Sequence, residues 1–460
     1  MLRYPRSVVC VLAAVCASTP AAAQQTPDSL VVRYREAATR IIQTALADSS
    51  AHARLGRLVD TFGPRFSGST NLEQAIDWML AEMRTDGLGN VHTEPVKVPH
   101  WIRGEESAQL VSPRRANLPM LGLGGSVGTP KKGITAELLV VSSFDELTAK
   151  EAEARGKIVL FDAPFTDYGH TVLYRRNGAV AAARAGAVAA LIRTVAPYSI
   201  RSPHTGSTQY DDSTARIPIA ALTLEDAMML HRMQDRGDRV VLTLRMEAQT
   251  LPDADSRNII AELIGSEYPD QVIVMGGHID SWDVGQGAMD DGGGIVAAWE
   301  AVHLLKRLGF TPRRTIRVVG WTNEENGLRG GRAYRDAQSA GELSKTVMAF
   351  ESDNGPFRPR GVGFTGSDAA RAILQRVVPL LAPLAADTVF PQGGEADIGP
   401  LIEQGVPGMS LLTVGDRYFW YHHSQGDTLD KVDPAELARC VAVMAIMAYV
   451  VADLPEPLPR

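Results

Sequence analysis

A short apolar run that ends in two glycines, a histidine and an aspartate most constrains how this chain can fold. Residues 272–275 are Val, Ile, Val and Met, which predicts a buried strand. Gly276 and Gly277 follow, and His278 and Asp280 come next. Such a strand places an imidazole at the carboxyl edge of a sheet, where open α/β sheets bind ligands. Alone, the pattern is more typical of a turn with a hydrogen-bonded histidine, so the residues downstream decide its role.

The chain from residue 257 onward alternates predicted strands and helices. Strands are predicted at 259–264, 272–275, 316–321, 347–350 and 409–414, and helices at 292–308 and from Asp433 onward. This alternation predicts an α/β fold with a mostly parallel central sheet flanked by helices. Residues 28–60 and 70–87 are predicted to be helical, and 91–98 to form a further strand; we interpret all three as scaffold.

Residues 105–250 differ in pattern from the chain on either side. Short apolar runs separated by turns predict strands at 137–141, 156–161, 187–192 and 217–222, with a small Ala-rich helix at 179–186. We therefore expect an inserted β-rich domain, which resembles the protease-associated domain in pattern. The polar loop 198–210 either overhangs a neighbouring site or is a plain surface connection.

The first 23 residues have the features of a secretory signal peptide. Arg3 and Arg6 precede an apolar core at 8–14, and three alanines at 21–23 form a small-residue cleavage site before Gln24. The alternative is an N-terminal membrane anchor. No other stretch is expected to be apolar enough to cross a membrane. We therefore expect an exported protein, periplasmic or extracellular, in which Cys440 is the one remaining cysteine and no internal disulfide forms.

Composition narrows the possible partners. Hydrophobic residues make up 45% of the chain and charged residues 22%, as in ordinary globular proteins. The net charge of −7 and the absence of a basic run argue against a nucleic-acid partner.

Five groups of potential metal-ligating residues follow predicted strands in the second half of the chain. They are His278, Asp290 with Asp291, Glu324 with Glu325, Asp353, and His422 with His423. Strand ends of one sheet converge in space, and carboxylates gathered there would repel one another without a cation. Imidazole and carboxylate ligands suit zinc, and two divalent ions can together activate a water and polarise a carbonyl. A glutamate beside a ligand is then free to accept the proton of that water.

The spacing of these residues resembles the motifs of the M28-type dinuclear zinc exopeptidases. The shared features are His-x-Asp, an aspartate twelve residues after the histidine, a Glu-Glu pair, a later aspartate and a final His-x-x-x-Asp-Thr. The resemblance is specific over 278–428, and the stretches 62–69 and 101–104 fit one subgroup of the family. It implies a zinc peptidase domain over 24–104 and 251–460, with 105–250 inserted. It also implies two zinc ions per chain, a peptide substrate and a possible homodimer.

The resemblance implies a role for each residue of the motifs. The implied metal ligands are His278, Asp290, Glu325, Asp353 and His423, with Asp290 bridging the two ions. Glu324 would be the general base, and Asp280 would orient His278. His423 is chosen over His422 because it stands four residues before Asp427. Some relatives carry a tyrosine just before the last ligand, where it stabilises the oxyanion; here either Tyr421 or His422 takes this substrate-binding role, or neither does.

Three remaining acidic residues are interpreted as structural. Asp291 and Asp427 are expected to be loop or capping residues, and Asp397 a structural carboxylate.

An M20-type peptidase also uses His-x-Asp and Glu-Glu, but its bridging aspartate lies much farther from the first histidine. A receptor-like ectodomain without catalysis would be expected to lack the metal ligands. Measuring bound zinc in the purified protein would distinguish such an ectodomain from the enzyme. Whether the enzyme is an aminopeptidase, a carboxypeptidase or a dipeptidase stays open, because nothing in the sequence places Arg329, Arg332 or Arg417 in a pocket.

Overall fold

The structure is a computed structural model, and it describes residues 29–394 and 396–460. The predicted signal peptide at 1–23 lies outside the described residues. The strands are β1 (Gly89–Ile102), β2 (Glu106–Ser112), β3 (Ala116–Leu118), β4 (Met120–Gly122), β5 (Ile134–Val141), β6 (Ile158–Phe161), β7 (Ala189–Arg193), β8 (Ile219–Leu222), β9 (Val241–Met246), β10 (Gln249–Leu263), β11 (Tyr268–His278), β12 (Arg314–Trp321), β13 (Thr346–Glu351), β14 (Pro359–Thr365), β15 (Val389–Pro391) and β16 (Gly408–Thr413). The α-helices are α1 (Ser29–Leu46), α2 (Ser50–Phe62), α3 (Thr70–Thr85), α4 (Phe144–Ala149), α5 (Glu151–Ala154), α6 (Tyr168–Arg184), α7 (Leu224–Asp235), α8 (Gly293–Arg307), α9 (Arg329–Ala337), α10 (Ala340–Lys345), α11 (Asp368–Val377), α12 (Gly399–Ile402), α13 (Tyr418–Tyr421) and α14 (Pro434–Asp453).

The first sheet has eight strands in the order β1-β10-β12-β11-β13-β16-β14-β15. Its four central strands, β12, β11, β13 and β16, are parallel to their neighbours in this run. Alternate residues of these strands enter two cores. Ile273 and Met275 pack under α8 and α14, whereas Val272 and Val274 pack against residues of α9 and α12 on the other face. The predicted α/β fold with a mostly parallel sheet between helices is confirmed.

Helix α14 lies at the centre of the larger core. Asp433 caps it by accepting from the backbone N–H groups of Ala435 and Glu436, and Pro434 occupies its first turn. With a mean hydropathy of 1.8 it is long and apolar enough to cross a membrane, so the prediction that no such stretch follows the N-terminus is wrong. Its most apolar window is 78% buried against neighbours that include α1 and α8, and this burial accounts for the composition.

The second sheet is built from residues 106–246 in the order β3-β2-β9-β5-β6-β7-β8-β4. Helix α7 packs on one face and α6 on the other. The four strands predicted in this region lie at β5, β6, β7 and β8. The predicted helix at 179–186 begins earlier, at Tyr168, because Asp167 caps it by accepting from the His170 N–H. The first part of α6 carries polar and aromatic residues rather than an apolar stripe, and therefore gave no helical pattern.

Side chains at the end of β1 join the two sheets. The Trp101 indole N–H donates to the carbonyl of Ser126 at 2.9 Å. The Arg103 guanidinium is largely buried; its Nε donates to Asp283 at 2.8 Å, and the group also donates to the carbonyl of Gly122. Since Asp283 lies five residues after His278, these bonds couple the second sheet to the loop that follows β11.

Candidate metal centre

The carboxyl edge of the first sheet gathers the predicted site residues. His278 is the last residue of β11, Glu324 and Glu325 follow β12, and Asp353 follows β13. His422 and His423 come directly after α13, and Asp290 lies in an irregular turn at 288–292 that leads into α8. All of these residues are buried or half-buried. The chain therefore brings together the groups that the sequence places at strand ends.

Asp290 lies between two histidines. Its Oδ1 is 3.3 Å from Nε2 of His278, and its Oδ2 is 3.2 Å from Nε2 of His423. On the first side, Asp353 Oδ1 is 3.6 Å from the same His278 nitrogen. On the second side, Glu325 Oε2 is 3.0 Å from the His423 nitrogen. The arrangement has two halves that share one carboxylate.

Three groups of ligand atoms, each within 4.8 Å of one another, could hold a metal ion. They are Asp290 with His422 and His423, His278 with Asp291 and Asp353, and His278 with Asp290 and Glu325. At their centre, His278 Nε2, Asp290 Oδ2 and Glu325 Oε1 are buried and have no hydrogen-bond partner among the described residues. Buried polar atoms left unpaired are costly, so this set of donors fits divalent cations. The candidate metal centre is thus supported by both spacing and unmet bonding capacity.

The contacts behind His278 prepare its ring for a metal. Its Nδ1 lies 2.9 Å from the backbone carbonyl of Asp280, an acceptor that favours the tautomer with a free Nε2 lone pair. The Asp280 carboxylate is farther away, with Oδ1 3.7 Å from Nδ1. It instead accepts from the backbone N–H groups of Glu324 at 3.1 Å and Glu325 at 3.4 Å. Asp280 therefore links the loop after β11 to the glutamate pair after β12.

Asp291 and Asp427 organise the backbone around Asp290. Asp427 accepts from the N–H groups of Ala288 at 2.9 Å, Met289 at 2.7 Å and Asp290 at 3.2 Å. Asp291 accepts from the backbone N–H of His278 and of Gly294, each at 3.1 Å. Both carboxylates hold the backbone of the site in place, and Asp291 also belongs to one of the three candidate metal groups.

The electrostatics of the chain without metal reflect crowded carboxylates. Burial raises the pKa of Glu324 to about 8 and that of Asp427 to about 7, and negative neighbours add to both shifts. Burial, followed by repulsion from Asp290, raises the pKa of Glu325 well above its ordinary value. Burial lowers the pKa of His423 to about 4, so its imidazole is neutral at physiological pH. A neutral imidazole among carboxylates that resist ionisation is the state expected of a site built for cations.

Arg65 is a functional residue that the sequence did not reveal. It is fully buried and donates to the carbonyls of Gly63, Ile279, Gln286 and Gly287, at 2.7–3.1 Å. Burial lowers its pKa to about 10, while Asp427 and other nearby carboxylates favour its charged form. The residue fixes the loops on either side of the metal centre. Its only sequence signal is a charge within the turn-rich stretch 62–69.

The region 105–250 also contributes to the centre. Thr205 donates its backbone N–H to the carbonyl of His423 at 2.8 Å, and Ser207 Oγ donates to the carbonyl of Glu325 at 3.1 Å. His204 Nδ1 lies 2.6 Å from the carbonyl of His422. The loop 198–210 therefore overhangs the site rather than merely connecting surface strands.

The two candidates for substrate binding next to the last ligand differ in position. The His422 ring stacks on that of His423, with centroids 3.5 Å apart, and its Nε2 is 3.5 Å from Asp290 Oδ2. The Tyr421 ring instead packs against the Lys431 ammonium, 5.6 Å from the ring centroid. The structure thus brings His422 into the centre and places the Tyr421 ring beside a lysine.

Asp397 is buried, and two of the arginines whose position the sequence left open, Arg329 and Arg417, have partners outside the set of predicted metal ligands. Both Asp397 carboxylate oxygens are buried without a hydrogen-bond partner among the described residues, and burial raises its pKa well above the ordinary value. Arg329 pairs with Asp253, and Arg417 lies over the ring of Phe357.

Known proteins are similar to this chain in sequence and in fold. The family model described as peptidase family M28 matches residues 258–448. The chain is 51% identical to carboxypeptidase Q of Mus musculus over 433 residues, which covers 94% of this chain and 92% of the relative. The crystal structure of a peptidase M28 precursor from Shewanella amazonensis superposes with a TM-score of 0.90 at 34% identity, covering 93% of this chain and 99% of that one. The zinc aminopeptidase BSAP of Bacillus subtilis shares the fold, with a TM-score of 0.67 at 21% identity, covering 89% and 98%.

Proposed function

Because this chain belongs to peptidase family M28 and is a metallo-exopeptidase, we propose that it hydrolyses dipeptides or short peptides at a centre of two zinc ions. The observation that carries the proposal is Asp290, whose two carboxylate oxygens face His278 on one side and His423 on the other. A carboxylate approached from both sides is suited to bridge two cations.

Each half of the centre would hold one ion. His278 and Asp353 supply the first half, Glu325 and His423 the second, and Asp290 is shared. Two bound zinc ions would supply Lewis acidity for the scissile carbonyl and lower the pKa of a bound water. The neutral imidazole of His423 and the unpartnered oxygens of Asp290 and Glu325 support this assignment.

Glu324 is the proposed general base. Its neighbour Glu325 contacts His423, whereas the Glu324 backbone is held by Asp280. In the metal-free chain, burial raises the pKa of the Glu324 carboxyl to about 8. It would take a proton from the attacking water and return it to the leaving nitrogen.

The substrate end is proposed by analogy with the relatives. Half of the residues are identical to those of carboxypeptidase Q over nearly the whole chain, which favours a carboxypeptidase or dipeptidase. An aminopeptidase of the same family is the alternative. A panel of dipeptides blocked at the amino or the carboxyl end tests this. A carboxypeptidase should lose activity when the carboxylate is amidated, an aminopeptidase should lose it when the amine is acylated, and a dipeptidase should lose it in both cases.

Processing and assembly complete the proposal. Residues 1–23 would be removed on export to the periplasm or the medium, 24–104 and 251–460 would form the peptidase domain, and 105–250 a protease-associated-like domain. N-terminal sequencing of the exported protein should begin at or near Gln24; a start at Met1 would refute removal. Light scattering would test the homodimer that the family resemblance implies.

A further inference from the structure

Two residues of α6, Tyr168 and Arg175, reach from the second sheet into the candidate metal centre. Arg175 is 6% exposed, and its Nη2 donates to the Tyr168 hydroxyl at 2.8 Å. Its Nη1 lies 3.3 Å from both the carbonyl of Thr205 and Nδ1 of His423. The guanidinium therefore joins the tyrosine to the histidine that lies beside Asp290.

The Tyr168 hydroxyl has a hydrogen left to donate. Its oxygen accepts from Arg175, and among the described residues no acceptor for its own hydrogen is found. The ring meets that of His422 edge-on, with centroids 5.5 Å apart, and His422 Nε2 lies 3.5 Å from Asp290 Oδ2. The side chain is half-buried, so a ligand can reach it. The centre thus contains a phenol with an available O–H.

The surroundings of Tyr168 keep it in its donor form. Burial raises its pKa, Arg175 opposes the shift, and Asp290 and Glu324 are among the carboxylates that add to it. The net effect is upward, so the hydroxyl keeps its proton at neutral pH. A phenol that accepts from a guanidinium is also polarised toward stronger donation.

Three neighbouring groups, Tyr421, His422 and Arg175, are less suited to donate to a bound peptide. The Tyr421 ring packs against Lys431, and the His422 ring is stacked on His423. Both terminal nitrogens of Arg175 already have partners, and its Nε is buried. The accessible end of the Arg175–Tyr168 pair is the phenol.

We propose that Tyr168, held in place by Arg175, donates a hydrogen bond to the oxyanion that forms from the scissile carbonyl of a bound peptide. This inference rests on the proposed peptidase function. It makes the region 105–250 a contributor to the reaction, because a residue of its helix α6 would contact the reacting atoms. A donor directed at a developing oxyanion acts mainly in the transition state.

The test is Tyr168→Phe, which removes the hydroxyl and keeps the ring against His422. The turnover number kcat should fall by about 10²–10³, the usual effect of losing one oxyanion donor, while KM and zinc content stay near those of the wild type. A phosphinic dipeptide analogue, which mimics the tetrahedral intermediate, should lose affinity by the same factor as kcat/KM. An uncleaved ground-state dipeptide should bind as before.

A matched control is Tyr174→Phe on the same helix. The half-buried Tyr174 ring stacks on Phe144, with centroids 4.5 Å apart, against the core of the second sheet. This variant should keep the wild-type kcat, which separates the proposed role from any general effect of removing a tyrosine hydroxyl from α6.

Two results would overturn the inference while leaving the peptidase function intact. One is a Tyr168→Phe enzyme with wild-type kcat. The other is a rise in KM at constant kcat that occurs only for substrates with a free carboxylate, because Tyr168 would then bind the peptide's end. A wild-type protein that cleaves no peptide in the blocked panel would refute the proposed function, and the inference with it.

Discussion

Two adjacent glutamates in this chain have the same side chain and different surroundings. Glu325 Oε2 lies 3.0 Å from Nε2 of His423, so this carboxylate is the one we assign to a metal half-site. The two backbone N–H groups are held by the two oxygens of Asp280, which fixes the loop that carries both residues. We expect neighbouring positions on such a loop to direct their side chains differently, one to metal and one to water.

Replacing each glutamate by glutamine should separate these roles. Glu324→Gln should lower kcat by about 10²–10⁴, the usual contribution of a general base, with zinc content near normal. Glu325→Gln should lose zinc from one half-site, because an amide is a poor substitute for an anionic ligand. Steady-state kinetics and elemental analysis of both variants measure this. Zinc loss in Glu324→Gln with zinc retention in Glu325→Gln would reverse the assignment.

Arg65 shows what a single buried cation does for the loops of the site. Arg65→Met would leave its four carbonyl acceptors without their charged donor, and the fold should lose about 3–5 kcal/mol. Chemical denaturation measures this loss. The control is Arg57→Met, because Arg57 is exposed and its contacts, an ion pair with Glu82 and the face of the Trp78 ring, lie at the surface; it should change stability by at most about 1 kcal/mol. Equal stability of the two variants would contradict the account.

Among the secondary-structure elements, the sequence predicts the central parallel strands well, and the helix boundaries and short strands poorly. Strands β11, β12, β13 and β16 each contain a mainly apolar run because both faces of the sheet are covered, so they can be predicted without knowing which strands they pair with. Helices α1 and α2 were predicted as one helix over 28–60, but the chain turns at 47–49. The short strand β4 depends on a distant partner, β8, for its hydrogen bonds and leaves no local pattern.

The same limit applies to residues of the site. His278, Glu325 and Asp353 can be found because each follows a strand of one sheet, whereas Asp290 and His423 follow a loop and a helix and are identified from the spacing of the family motif. Arg65 and Tyr168 cannot, because Arg65 bonds to carbonyls more than 200 residues away and Tyr168 meets His422 across the two sheets.

The turn at 288–292 depends on one carboxylate from a distant loop. Asp427→Ala would remove the acceptor for three backbone N–H groups around Asp290, so the bridging carboxylate should lose its fixed position. Zinc affinity should fall by about 10–100-fold, as is usual when a group that orients a ligand is lost. Competition with a chromogenic chelator measures it. Asp430→Ala, which alters an exposed carboxylate of the same loop, should bind zinc like the wild type; equal affinity in both variants would contradict this role.

For the whole molecule, the buried carboxylates make the stability of the metal-free protein depend on pH. Burial raises the pKa of Glu324 and of Glu351 to about 8, well above their ordinary value of 4.5. The folded metal-free chain therefore binds more protons than the unfolded chain, and its stability should fall as pH rises from about 7 to 8. His204 and His423, whose pKa values burial lowers to about 4, are largely neutral in both states over this range and do not reverse the sign.

Thermal unfolding of the chelator-treated protein tests this dependence. The Tm should be lower at pH 8 than at pH 7, and added zinc should raise it more at pH 8, because the ions favour the ionised carboxylates. A Tm that increases with pH in the absence of metal would show that burial does not raise the pKa values of these carboxylates.

If Asp290 joins two metal half-sites in one chain, the zinc content of the purified, active protein will show it. Elemental analysis should give two zinc ions per chain, and removal of both by a chelator should abolish peptide hydrolysis until zinc is restored. Full activity in protein with no tightly bound divalent metal, or with only one ion per chain, would contradict the account.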